Sequence, residues 1–294
     1  MTGWHIGVIG GSGLYDPGAF EDAQEIAVAS PFGEPSGPVI TGMLGGTRFT
    51  FLPRHGVGHV LPPSDINYRA NIDVLKRCGV TDVLALSAIG SLREDYAPGG
   101  FVAVDQFIDR TDGRVRSFFG PGLAAHVGLA DPVCPRLSAL AAAAAEASGA
   151  LVHRGGCYVA SEGPQFSTRA ESALYRQWGA DVIGMTAMPE ARLAREAELP
   201  YALLAMVTDY DCWRAGDPVD VEDVVSVMRA NAATARATLR QLAASLPQER
   251  PASPIDTALD GAIITARSHW DRNAVARLDA VGRRIFRTPF DGPH

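Results

Sequence analysis

Lysine is almost absent from this chain: of its 26 basic residues only Lys76 is a lysine, and the rest are arginine. Codon bias is a sufficient source for the imbalance, since composition follows genome composition more closely than function. It still has a chemical consequence. A Walker-type phosphate loop places its lysine directly after a run of glycines, and Lys76 stands instead in DVLKRCG, so P-loop chemistry is excluded. Cysteine is scarce too. The four present, Cys78, Cys134, Cys157 and Cys212, lie far apart with no CxxC pair, which excludes a disulfide framework and a zinc-finger ligand set. A basic segment leading into an apolar run is missing from MTGWHIGVIGG, so no export signal is expected, and no 18-residue apolar stretch offers a membrane span. Together these absences predict a cytoplasmic protein with no membrane partner. An excess of positive charge is lacking as well: the net charge is −7 and the isoelectric point about 5.5. Nucleic acid is therefore not an expected partner, and an anionic ligand requires a local positive site.

What is present is ordinary globular material. The chain has 294 residues, 47% hydrophobic and 20% charged, enough to bury a substantial core. Apolar strand-like runs alternate with helical patterns. HIGVIG (5–10) ends in a glycine turn, and 39–44 with 48–54 reads as a hairpin turned at Gly45-Gly46. A helix is expected from an N-cap at Ser64 to a C′ glycine at Gly79. Further strands are expected at 80–90, 101–109, 157–163, 181–185 and 201–210, and helices at 136–148, 167–178, 189–198 and 221–246. This alternation predicts an α/β fold whose central, largely parallel sheet is flanked by helices. The stretch PQERPASP (247–254) is a break, so 1–246 reads as the catalytic domain. Residues 247–294 read as an extension with helices at 257–266 and 271–285, packed on the same domain; a tethered tail is the alternative.

Six segments carry candidate chemistry, and each has a bland reading beside it. GGSGLYD (10–16) is a glycine-rich turn after a strand, where backbone N–H groups and the Ser12 hydroxyl can meet an anion. It is equally a plain strand-to-helix turn, and Asp16 breaks the dinucleotide fingerprint, which disfavours a dehydrogenase. PRHGVGH (53–59) offers the Arg54 fork, suited to phosphate, and His55 as a further donor. The His55/His59 spacing of four suggests a metal pair only on a helix, and Gly56 and Gly58 argue against one; a surface turn is the alternative. LSAIGSLRE (86–94) ends a buried strand in small residues, placing the Ser87 hydroxyl where ligands of α/β sheets gather, unless those residues merely permit tight packing. SEGPQFSTRAE (161–171) puts Phe166 before a helix capped near Ser167, as a base-stacking ring or as core. IGMTAMPE (183–190) is a strand end with Thr186, followed by Pro189 opening a helix. In TDYDC (208–212), Asp209 and Asp211 point to one side if the strand continues. Two adjacent carboxylates repel and one pKa rises, so the pair can present one O–H and one carboxylate. Adenine, with N7 as acceptor and the N6 amino group as donor, complements that pair, whereas a 6-oxopurine presents two acceptors. A solvated acidic turn is the competing reading.

In order along the chain, IGVIGGSGLYD, SPFGEPS, PRHGVGH, NYRANI, GSLRE, DQFIDRT, SEGPQFSTRAES, WGADVIGMT and TDYDCW resemble the methylthioadenosine phosphorylases, within the trimeric purine nucleoside phosphorylase family. The match spans about residues 5–246 and is looser beyond Pro247. The resemblance implies a phosphorylase/hydrolase-like α/β fold, with a central twisted mixed sheet, assembled as a homotrimer. By motif position it implies a phosphate site of Ser12, Arg54, His55, Ser87, Ala88 and Thr186, with Ser87 where the family commonly has threonine. It also implies that Met185 meets the ribose, Phe166 the base, and Val221 and Val224 the 5′ substituent. The resemblance implies further that Asp209 and Asp211 read adenine, with Asp209 the acid at N7, and that His126, in AAHVGLADP, enters the neighbouring subunit's pocket. The implied reaction is phosphorolysis of 5′-methylthioadenosine, with inorganic phosphate as co-substrate and no metal or organic cofactor. Its rivals are a 5′-halogenated adenosine, a 6-oxopurine nucleoside, and a nucleotide-binding regulator without catalysis.

Overall fold

The computed structural model describes residues 3–11, 14, 18, 20–214 and 221–286, the side chains of 221–224 aside. Eleven strands form one mixed sheet: β1 (His5–Gly10), β2 (Glu21–Ile26), β3 (Val39–Leu44), β4 (Thr47–Pro53), β5 (Asp82–Ser91), β6 (Phe101–Val104), β7 (Gln106–Asp109), β8 (Val152–Arg154), β9 (Cys157–Ala160), β10 (Val182–Gly184) and β11 (Tyr201–Asp209). Their order is β2-β3-β4-β1-β5-β10-β9-β7, with β11 pairing β5 and β6, and β6 pairing β8. The centre is parallel, β4, β1, β5 and β11 running alongside one another. Antiparallel pairs join β3 to β4, β6 to β11 and β10 to β5. The helices are α1 (Tyr68–Arg77), α2 (Pro135–Ala147), α3 (Arg169–Gln177), α4 (Ala187–Glu196), α5 (Val221–Ser245), α6 (Arg272–Arg277) and α7 (Arg283–Phe286).

Strand alternation sorts the core into two layers. Ile9, Leu52, Val83, Ala85, Leu203 and Ala205 pack with Ile72, Leu75, Ala191 and Leu193 of α1 and α4. Their neighbours Val8, Phe51, Leu84, Leu86, Leu204 and Met206 pack with Leu137, Ala141, Ala235 and Leu239 of α2 and α5. Because both faces are covered, the central strands are apolar at nearly every position, the pattern of a parallel sheet. Among the described residues no helix is long and apolar enough to cross a membrane.

Several boundaries differ from the sequence reading, each for a local reason. The N-cap of α1 is Asn67, whose side chain accepts from Ala70 N, while the Ser64 hydroxyl donates to Glu162. The strand expected over 101–109 is two, because the chain changes partner at Asp105, from β11 to β9. The cap of α3 is Thr168 rather than Ser167, in a reciprocal capping box with Glu171. The helix expected to open at Pro189 begins at Ala187, with a non-helical Met188 inside it. The edge strand β2, EDAQEI, is exposed throughout and shows no apolar alternation to betray it.

Beyond Ser245 the expected helix at 257–266 is a short 3-10 turn, Pro254–Thr257, and an isolated bridge pairing Ile263 with Ala125. The helix expected over 271–285 is broken into α6 and α7. This segment nonetheless joins the core through Ile255, Leu259, Leu278 and Val281, all buried. Arg250, bonded to Asp82 and Asp256, and Arg284, bonded to Glu198 and Asp260, tie it down electrostatically.

Candidate active site

The carboxyl ends of β1, β4, β5, β10 and β11 converge on a cleft of about 800 Å³, the usual ligand position in open α/β sheets. It gathers Arg54, His55, Ser87, Ala88, Phe166, Met185, Thr186, Asp209 and Asp211 from five separate stretches of chain. Ser12 lies outside the described residues. Val221 and Val224 begin α5, but their side chains also lie outside what is described. His126 does not line the cleft; its backbone N–H donates to Ala262 O in the bridge that holds the C-terminal segment.

At one end of the cleft Arg54 follows β4, anchored by its N–H to Gly10 O. Only 2% exposed, it forms a fork with Glu190, Nε to Oε2 at 2.9 Å and Nη2 to Oε1 at 3.0 Å. Nη1 donates to Leu86 O at 2.8 Å and Nη2 to Ile9 O at 3.4 Å. The hydroxyl of Tyr201 adds a third hydrogen bond to Glu190, at 2.9 Å. Burial opposes the charge on Arg54, but the attraction and hydrogen bonds of Glu190 outweigh it and hold its pKa above the usual value. The sequence offers the Arg54 fork to phosphate; the fold commits that fork to a buried counter-ion, Glu190.

His55 is neutral at physiological pH. Burial, aided by Arg54 and His59 and opposed by the Leu61 carbonyl, lowers its pKa to about 4. Nδ1 lies 2.9 Å from Leu61 O, an acceptor, so Nδ1 carries the hydrogen and Nε2 is left as an acceptor. The ring stacks on His59, centroids 4.0 Å apart and planes 10° apart. Among the described residues no group of three or more His, Cys, Asp or Glu is arranged to hold a metal. Across from His55, the Ser87 and Thr186 hydroxyls lie 3.3 Å apart. Thr186 sits at the N-terminus of α4 with its side chain uncommitted to the cap, beside helix N–H groups suited to an anion.

The other end is built by the end of β11. Asp209 Oδ2 accepts from the Thr208 hydroxyl at 2.7 Å and Oδ1 from Asp211 N at 2.8 Å. Asp211 has turned out of the strand into the left-handed region, φ 52°, so the two carboxyls share the cleft through a tight turn rather than through strand alternation. A Cβ on Gly90 would lie 3.0 Å from Asp209 Oδ1, so glycine leaves the room that this close approach requires. Burial raises the pKa of both aspartates; the charge of Asp209 raises Asp211 further, against the Ser172 hydroxyl. Asp211 Oδ2 is buried with no hydrogen-bond partner among the described residues. Phe166 stands at the mouth, 53% exposed, so it is not core.

Two supporting residues escape the sequence reading. Glu190 lies in the IGMTAMPE motif, yet an acidic residue in a first helical turn reads as a partner for the helix dipole, and Arg54 is 136 positions away. Arg114 has no motif at all. Its guanidinium binds Met185 O, Met188 O, Glu162 O and the Tyr68 hydroxyl, which fixes the Met185 loop against the cleft.

The chain matches the sequence model of the Phosphorylase superfamily over residues 5–244. It is 55% identical over 290 residues to S-methyl-5′-thioadenosine phosphorylase of Bradyrhizobium diazoefficiens, covering 98% of this chain and 100% of that one. A methylthioadenosine phosphorylase crystal structure sourced from an antarctic soil metagenomic library superimposes with a TM-score of 0.90 at 43% identity, over 95% of this chain and 99% of that one. A mutant adenosine/methylthioadenosine phosphorylase from Schistosoma mansoni, in complex with methylthioadenosine, superimposes with a TM-score of 0.78 at 39% identity, over 82% of this chain and 91% of that one.

Proposed function

The chain belongs to the phosphorylase superfamily, and we propose that it cleaves 5′-methylthioadenosine with inorganic phosphate to adenine and 5-methylthioribose 1-phosphate. The observation that carries the reading is the cleft itself. It places two protonation-prone carboxyls, Asp211 buried and Asp209 half-buried, at one end and a cluster of hydroxyl, guanidinium and helix N-terminal donors at the other. The names of the similar phosphorylases support the methylthio group.

In this reading adenine meets the Asp209/Asp211 end, with Phe166 against its face and Met185 beside the ribose. As the N-glycosidic bond stretches, its electrons pass into the purine and C1′ gains positive charge. Asp209 donates its proton to N7, a step that a positioned acid accelerates by about 10²–10⁴-fold. Phosphate, held by Arg54, Ser87, Thr186 and the amide of Ala88, with Ser12 in the same site, stabilises the cation and attacks C1′. The proton that hydrogen phosphate loses on forming the ester balances the one adenine gains, and the Nε2 acceptor of His55 suits that P–OH. No step requires a metal or an organic cofactor. The resemblance further supports Val221 and Val224 as the 5′ pocket, and a cytoplasmic homotrimer in which His126 serves the adjacent site. It also supports 1–246 as the catalytic domain and 247–294 as its extension.

A panel of methylthioadenosine, a 5′-halogenated adenosine, adenosine and inosine, each with and without phosphate and chelator, tests the proposal. Phosphate-dependent, chelator-insensitive release of adenine, fastest from methylthioadenosine, is expected. Full activity without phosphate indicates a hydrolase and refutes it.

A further inference from the structure

Arg54 and Glu190 form a buried, net-neutral unit beneath the anion end of the cleft. Of the five N–H groups of a guanidinium, Arg54 commits four hydrogen bonds inside the protein: two to Glu190, one to Leu86 O and one to Ile9 O. One Nη1 hydrogen has no acceptor among the described residues. Glu190, itself 2% exposed, is held in turn by the Tyr201 hydroxyl, and Tyr201 is 1% exposed. The described hydroxyl donors beside it, Ser87 and Thr186, are uncharged, and His55 contributes an acceptor; the other arginines that line the cleft, Arg229 and Arg236, come from α5.

We propose that Glu190 is a positioning residue that sets the charge of the phosphate site: it aims the Arg54 fork and cancels its charge, so that phosphate is held by hydrogen-bond geometry instead of by a net ion pair. The inference rests on the phosphate reading above and goes beyond it by naming what keeps the affinity moderate. A dianion paired to an unshared guanidinium in a low-dielectric cleft is bound strongly, and that charge is then withdrawn from the oxygen that must attack C1′. Interactions that stabilise bound phosphate and transition state equally do not raise kcat. With Glu190 in place the dianion keeps its charge for the developing oxocarbenium.

The test uses Glu190→Gln, which keeps the shape and the acceptor for Arg54 Nε but removes the negative charge. Arg54 then lacks a counter-ion until phosphate supplies one. Inorganic phosphate is therefore expected to bind about ten-fold more tightly by calorimetry, and to raise Tm by more than it raises that of the unaltered protein, as binding to the folded state requires. Phosphate KM and kcat should fall together. Recovery of folding by millimolar phosphate, in a variant that does not fold without it, carries the same meaning. Unchanged or weaker phosphate binding by Glu190→Gln overturns the proposal and leaves Glu190 a mere support for Arg54. If the glutamine variant folds under no condition, Glu190→Asp decides. It keeps the charge, so phosphate affinity should stay within about two-fold while kcat drops, and a ten-fold loss of affinity overturns the proposal. An unaltered protein that phosphate neither stabilises nor activates removes the anion-site reading itself, and this inference with it.

Discussion

At the anion end of the cleft the charged groups are largely committed within the protein: Arg54 spends its fork on Glu190 and two carbonyls, and Glu190 takes a third bond from Tyr201. At the base end the opposite holds. Asp211 Oδ2 is buried without a partner among the described residues, its backbone sits at positive φ, and both aspartates are pushed toward the protonated form. One end is assembled for stability and lends a ligand what is left over. The other end holds a carboxylate oxygen without a partner among the described residues, an arrangement that suits a ligand's donor. Loss of Arg54 at the anion end should therefore cost folding and binding together, whereas variants at the base end should separate the two.

The largest expected effect is at Arg54. Arg54→Ala strands the Glu190 carboxylate in a buried site, and breaking such a pair costs about 3–5 kcal/mol. Urea unfolding should show that loss, and the phosphate KM should rise far more than the nucleoside KM. Replacing both partners with methionine should restore most of the stability without restoring phosphate use. A stable Arg54→Ala variant with an unchanged phosphate KM would contradict both halves of the expectation.

Next in size is Asp209→Asn. An amide cannot deliver a proton to N7, so turnover of adenine nucleosides should fall roughly 10²-fold or more. Its NH₂ can still donate to a 6-oxo group, so inosine should lose less and the preference between the bases should narrow. Steady-state rates on both nucleosides measure this. Equal losses on the two would make Asp209 a structural residue.

The same contrast explains what was legible in the sequence. Asp209, Asp211, Ser87 and Thr186 stand at the ends of apolar runs, where period and composition announce a buried strand and therefore a cleft beyond it. The sheet core was legible for the same reason. Glu190 and Arg114 were not, because their meaning lies in partners 136 and 71 positions away, and neither residue type marks a motif. The exposed edge strand β2 and the three-residue β8 carry no alternation long enough to read. The C-terminal segment differs in another way: helices are expected at 257–266 and 271–285, but the segment, anchored at Arg250 and Arg284, forms short turns over the first span and two short helices over the second.

The smallest effect expected is also the sharpest, because its sign reverses the usual one. The folded pKa of Asp211 is raised above the ordinary aspartate value of 3.8, chiefly by burial. Whatever stability this group allows is fully present below that value, and it is lost as pH rises through the folded pKa. Asp211→Asn removes the charge that has to be buried at neutral pH, so the variant should be more stable than the unaltered protein at pH 7, by roughly 1 kcal/mol, the scale of one unsatisfied buried group. The advantage should shrink as the pH is lowered toward 3.8 and vanish below it. Activity should move the other way, with a higher KM for adenine nucleosides and an unchanged KM for phosphate. Paired urea titrations at pH 7 and near pH 4 measure the first expectation. A variant less stable at both would show that the turn needs the carboxylate for its own backbone, and the separation of folding from binding at the base end would fail.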